Sequence, residues 1–302
     1  MTEAGPGAPA TSLTGGGELG EVPYLRPHPG ASAVFARRAA RFEALAPGHA
    51  AGDYLALLAR VASAQRTVAE RVRHAPLPPP VGGALPLDLS GPPPPLWREA
   101  LQHLLPELSG VAGPPPVRAA LARLGQLPPA ELEGLAERLL AGRLTPIDVP
   151  VALFAGAALQ VVFTGLAAGL PAGSLARVEE GCPACGASPT AGMVLGDDKL
   201  RYLVCGLCAT SWHHTRVQCV LCRSAAAVSY LVVDGVAGPA RAETCDGCQA
   251  WLKLLYVEQA PLLEPLADDV ATLALDQLVG ERGYQRLGQN PYLLGSAGVA
   301  EA

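Results

Sequence analysis

Residues 182–222, CPACGASPTAGMVLGDDKLRYLVCGLCATSWHHTRVQCVLC, together with ETCDGC at residues 243–248, carry all eight cysteines of the chain. They fall into four Cys-x-x-Cys pairs, Cys182/Cys185, Cys205/Cys208, Cys219/Cys222 and Cys245/Cys248, separated by 19, 10 and 22 residues. Two thiolates three positions apart can grip one metal ion while the turn between them aims backbone N–H groups at sulfur, and two such turns complete a tetrahedron. Eight thiolates therefore predict two closed sites and two metal ions, one per four-cysteine site. A tetrahedral four-thiolate site accepts iron or zinc, and ligand count does not choose between them. In the first knuckle Gly186 follows the second cysteine, where a positive backbone angle is readily adopted. The other three knuckles lack that glycine.

An internal repeat suggests how the knuckles pair. Each long spacer holds strand-like runs and an acidic turn, Gly196-Asp197-Asp198 in the first and Asp234-Gly235 in the second. Leu200–Val204 leads into Cys205, and residues 225–233 lead away from Cys222, as in two tandem ribbon-like units. Sequential pairing is the expectation. An interleaved cross-brace, first knuckle with third and second with fourth, satisfies the same ligand count. No cysteine is left outside a pair, which suits a reducing compartment and chelation rather than a secreted disulfide scaffold. A thioredoxin-type dithiol would occur once, at a helix N-terminus, and four copies in strand-rich spacers speak against it.

On the N-terminal side the pattern is helical. The first 22 residues contain no lysine or arginine and no apolar run, and read as a disordered tail rather than a leader peptide. Val34, Phe35, Phe42 and Leu45 predict a helix with Ser32 as N-cap and Pro47-Gly48 as stop. Tyr54, Leu57, Leu58, Val61, Val68 and Val72 predict a long amphipathic helix. Prolines and glycines between Pro76 and Pro95 predict a loop, followed by helices at Leu96–Leu108, Pro116–Leu124 and Pro129–Leu140. Val149–Leu170 is long and apolar enough for a membrane span. Alanine and glycine fill about half of it, however, and the preceding amphipathic helices need a central partner, so a buried core helix is expected and no membrane span. Beyond Tyr256, Leu266, Val270, Leu273, Ala274 and Leu278 predict one C-terminal helix ending near Gly280.

The expected fold is thus multidomain α plus small β. A helical domain at 23–175 precedes a double four-cysteine domain at 176–260, and a C-terminal helix and tail occupy 261–302. The net charge of −5 gives no general attraction to a phosphate backbone. Between residues 177 and 258 seven basic side chains meet eight acidic ones, leaving no phosphate-binding stripe and arguing against a nucleic-acid partner. No nucleophilic triad, phosphate-cradling glycine loop or carboxylate pair stands out, so no catalytic residues are assigned. Trp212 is expected to pack over a ribbon, and His213 to be a satisfied or partner-facing group.

Read together, CPACG (182–186), RYLVCGLCATSWHHTRVQCVLC (201–222), ETCDGCQAWLKLLY (243–256) and LADDVATLALD (266–276) resemble the formate dehydrogenase accessory protein family called FdhE. FARRAARFEALAPGHAAGDYLALLARVASAQ (35–65) and NPYLLG (290–295) extend the resemblance from Pro23 to Leu294, and Arg201, Tyr202, Trp212, His213, Arg216, Glu243, Lys253 and Tyr256 match it in residue type. The long Pro76–Pro95 loop, the glycine-rich tail and His214 depart from it. The resemblance implies a cytoplasmic protein, not itself the dehydrogenase. It would bind the catalytic subunit of a respiratory, molybdenum-dependent formate dehydrogenase and be needed for its maturation. It also implies that the two metal modules are rubredoxin-like, which makes iron the more interesting occupant.

Overall fold

The computed structural model describes residues 22–74, 77, 84–110, 113–171, 175–178, 180–233 and 238–294. The tail at 1–21, the Asp234-Gly235 turn, residues 76 and 78–83 of the proline-rich stretch and residues 172–174 just before the expected domain boundary lie outside them.

Six helices come first: α1 (Ala31–Leu45), α2 (Gly52–Arg71), α3 (Leu96–Ser109), α4 (Pro115–Gln126), α5 (Pro129–Leu140) and α6 (Val149–Ala168). The amphipathic ones form where apolar residues recur at three and four positions, and each buries that stripe: Phe35 and Phe42 on α1, Leu55, Leu58, Val61 and Val68 on α2. α6 is the exception, with sixteen of its twenty residues buried because the other helices surround it. Its polar residues explain why it belongs in protein rather than lipid. Gln160 Nε2 donates to the Gly206 carbonyl at 2.7 Å, and the Thr164 hydroxyl donates to the Leu207 carbonyl at 3.3 Å. In a bilayer both groups would lack partners. Ser32 is not the N-cap of α1. Gly30 starts that helix with φ of 85°, and the Ser32 hydroxyl instead donates to Glu70 on α2 at 2.9 Å.

The C-terminal half forms one sheet of seven strands. These are β1 (Ala191–Leu195), β2 (Leu200–Val204), β3 (Ser211–His213), β4 (Val228–Leu231), β5 (Ala240–Cys245), β6 (Ala250–Tyr256) and β7 (Gln285–Arg286). The order is β3-β2-β1-β6-β5-β4, with β7 beside β6. Each ribbon is antiparallel, and the two are joined by a parallel pair, Gly192 facing Leu254 and Val194 facing Tyr256. Gly192 permits the join, since a Cβ there would lie 2.6 Å from the Leu254 side chain. The tandem units are thereby fused edge to edge.

The single C-terminal helix is corrected. The segment forms α7 (Pro265–Ala271) and α8 (Leu273–Glu281), broken at Thr272, whose hydroxyl bonds back to the Asp268 and Asp269 carbonyls. The break rotates the pattern: Leu275 and Val279 are buried against Ala242 and Trp251, whereas Leu273 and Leu278 are 41% and 44% exposed. Gly280 lies inside α8, and the glycine with positive φ after the helix is Gly283.

Candidate metal centres

The cysteines gather into two clusters, Cys182/Cys185/Cys205/Cys208 and Cys219/Cys222/Cys245/Cys248, with all sulfurs of each within 4.8 Å of one another. Among the described residues this is the sequential arrangement. Close contacts run between knuckles: Cys182 to Cys208 at 3.5 Å, Cys185 to Cys205 at 3.6 Å, Cys219 to Cys248 at 3.6 Å and Cys222 to Cys245 at 3.5 Å. A disulfide would bring sulfurs to about 2.05 Å. A tetrahedral ion with bonds of about 2.3 Å spaces its thiolates about 3.8 Å apart. Both clusters therefore fit one four-coordinate metal ion each.

All four knuckles share one backbone turn. The residue after the second cysteine donates its N–H to the carbonyl of the first, at 2.8, 3.1, 3.0 and 2.8 Å from Gly186, Ala209, Arg223 and Gln249. Each of these residues has positive φ, between 57° and 78°. The glycine in CPACG thus announced a geometry that the other three knuckles adopt with L-residues. A left-handed L-residue costs roughly 1–2 kcal/mol, which cluster closure must offset.

The surroundings of the clusters differ. The first is wholly buried, all four cysteines at 0% exposure. The helical half covers it through Gln160 and Thr164 of α6, and Leu87 N–H donates to Ala184 between two ligands. His28 closes another side. Its Nε2 lies 3.0 Å from the Cys208 carbonyl while its Nδ1 accepts from the Gly30 N–H at 3.1 Å. Burial pushes the Cys182 thiol well up, whereas at Cys208 hydrogen bonds with Cys182, Cys185, Cys205 and Thr210 outweigh burial and bring the thiol down. In the second cluster Cys222 is exposed and Cys248 half-buried. The Ser224 backbone N–H, followed by Cys245, lowers the Cys222 thiol to about 7, whereas burial pushes Cys248 up to about 12.

Three buried polar systems hold the clusters in place. Arg201, fully buried on β2, pairs with Glu243 on β5 and donates to the carbonyls of Thr215 and Gln218, tying the first ribbon to the second and to the approach to Cys219. Lys253 on β6 and Arg286 on β7 share Asp269 and Asp276, and Asn290 adds a 2.9 Å bond to Asp269. Burial alone would raise Asp269, but Lys253 and Arg286 outweigh it and hold the carboxyl low. The third system starts with Arg38 on α1, which pairs with Glu264 and donates to the Tyr292 hydroxyl. Tyr292 donates to Gln65, Gln65 to Gln160, and Gln160 to Gly206 between Cys205 and Cys208.

Trp212 is buried on β3, bridged to Leu25, and the half-buried His213 ring meets Tyr202 edge-on at 5.6 Å. The polar systems are what the sequence reading left unassigned. The available signal was a lone lysine in the apolar strand AWLKLLY and adjacent acids in the apolar run LADDVA.

A helical platform bearing a fused pair of four-cysteine ribbons is the class of protein that this fold and these centres define. Family models described as FdhE N-terminal, FdhE central domain and FdhE C-terminal domain match residues 22–180, 181–216 and 217–293. The chain belongs to the FdhE family. It is 34% identical to the protein FdhE homolog of Rhizobium meliloti, over 96% of this chain and 98% of that relative. It is 38% identical to the homolog of Pseudomonas putida, over 91% and 92%, and 34% identical to protein FdhE of Escherichia coli K12, over 88% and 89%. The crystal structure of the FdhE protein from Pseudomonas aeruginosa superposes with a TM-score of 0.81 at 35% identity, covering 91% of this chain and all of that one.

Proposed function

We propose that this protein is a cytoplasmic accessory protein that binds the catalytic subunit of a respiratory formate dehydrogenase and is needed for that enzyme's activity. The observation that carries the reading is FdhE family membership along nearly the whole chain. The buried ion pairs support it in part: Arg201, Lys253, Asp269 and Glu243 are engaged with one another, as in a scaffold, rather than converging on an open cleft. In this reading Cys182, Cys185, Cys205 and Cys208 hold one metal ion, and Cys219, Cys222, Cys245 and Cys248 hold the other. Residues 23–175 act as the platform, 176–260 as the double metal unit and 261–302 as the C-terminal segment, whose described part, 261–294, clamps the two together.

Iron in such sites would supply one-electron chemistry, whereas zinc would supply cross-linking alone. We favour iron on the family resemblance. The chain's own contribution is to hold eight thiolates in two fixed turns and to leave one cluster open to solvent. Capture of the formate dehydrogenase catalytic subunit by tagged, metal-replete protein under reducing conditions tests the partner; no association would overturn it. Visible absorbance and metal analysis of anaerobically purified protein test the iron. A colourless protein with two zinc ions would favour pure scaffolding.

A further inference from the structure

A half-open groove of about 640 Å³ runs between α1, the arm at residues 26–29, strands β1 and β2, and the strap at 261–265 that leads into α7. Its apolar lining includes Val34, Met193, Leu195 and Val204. Leu262 on its rim is 80% exposed, the most exposed large apolar side chain among the described residues. Leu262 thus carries the apolar lining of the groove out to its solvent-facing rim.

The charge around this groove runs against that of the chain. The whole sequence has 22 lysines and arginines against 27 acids, yet Arg26, Arg37, Arg38 and Arg41 line the groove with Glu264 as the sole lining acid among the described residues. Two of the cations are spent internally. Arg38 pairs with Glu264, and Arg41 forks onto Asp268 through bonds of 2.8 and 2.6 Å. Arg26 and Arg37 are exposed and have no carboxylate partner among the described residues, and Arg26 sits over the Tyr202 ring at 5.8 Å. The surplus is therefore two arginines beside an apolar floor.

We infer that this groove is the docking surface for a partner-protein segment that combines acidic and aliphatic side chains. Its aliphatic residues would cover Leu262 and the floor, and its carboxylates would meet Arg26 and Arg37 in the forked geometry that guanidinium favours. The floor is preorganised, because Arg38 is fixed by Glu264 and by the Tyr292-Gln65-Gln160 relay, so little ordering is left for the binding step. The identity of the partner, the formate dehydrogenase catalytic subunit, rests on the reading proposed above; the chemistry of the groove does not.

The test uses the full metal-loaded chain, wild type and with Arg26→Glu/Arg37→Glu, and Arg143→Glu on the exposed turn after α5 as a control. One probe is a short synthetic peptide of Asp, Glu and Leu, with a counterpart carrying Lys at every acidic position. The expected result is saturable binding of the acidic peptide, weakened about tenfold by the double reversal and by added salt, with metal content and Tm unchanged. Equal binding of both peptides, or no effect of the reversal, overturns the groove. The second probe is the catalytic subunit. If the wild type captures it and the double reversal captures it equally well, the groove is overturned as the client surface and the proposed function stands. If the wild type captures none, the proposed function falls, and the peptide result alone decides the groove.

Discussion

The two cysteine clusters have the same four-residue knuckles, the same backbone turn and nearly the same sulfur spacing, yet one is sealed in the core and the other opens to solvent. The difference lies in what packs on them. α6 and the residue 84–90 segment cover the first, whereas the second lies among Val217 and Leu221, both exposed. Identical local chemistry therefore sits in two environments: one cluster is enclosed by the core, and the other is reachable by metal, reagent or partner.

The largest effect is expected from removing one ligand on each side. Cys205→Ser should abolish the first metal site and cost several kcal/mol, because an incomplete cluster is left inside the shared core. Cys222→Ser should lose one metal ion with a much smaller fall in Tm. Calorimetry with metal analysis reads both, and equal falls would erase the contrast.

Next comes the tie between the ribbons. Arg201→Met should cost about 3–5 kcal/mol, since it strands Glu243 as a buried unpaired charge. Adding Glu243→Leu should recover part of the loss in a double-mutant cycle. A loss under about 1 kcal/mol would mean that the ribbons are held together by the β1–β6 pairing alone.

A smaller separation is expected in kinetics. A chelator should strip the open cluster at least about tenfold faster than the buried one, a difference of about 1.4 kcal/mol in barrier. Alkylation mapped by mass spectrometry should mark Cys222 and Cys248 first. Single-phase release would show that burial in the folded chain does not gate access.

The smallest effect is one that should not distinguish the clusters. Ala209→Gly in the first and Gln249→Gly in the second each relieve a left-handed L-residue, and each should stabilise by about 1 kcal/mol or less. A gain in one cluster and a loss in the other would show that the turns differ in strain despite their common geometry.

Much of this was legible in the residues. Four Cys-x-x-Cys pairs and the internal repeat of their long spacers led to two four-sulfur clusters in sequential pairing; apolar periodicity located the first two helices, proline and glycine punctuation the next three, and a long apolar run the sixth. Val149–Leu170 read as a core helix, and α6 is enclosed on nearly every side. The C-terminal stretch misled because Leu273 and Leu278 keep helical spacing from Leu266, and periodicity is blind to the Thr272 hydroxyl that breaks the helix. Ser32 misled because a serine near a helix start is capable of capping, yet Glu70 on another helix was available to it.

What the sequence determined by itself is local: a knuckle is four residues closed by one backbone bond, and a helix stripe is written every three or four positions. Burial of one cluster and exposure of the other, fusion of the ribbons through Gly192 and Leu254, and the pairing of Arg38 with Glu264 and Arg201 with Glu243 were decided only in the tertiary structure. These contacts join residues 42 to 226 positions apart. Which acid meets which base at that range depends on how whole elements pack, because a buried charge accepts whatever partner the fold brings within reach.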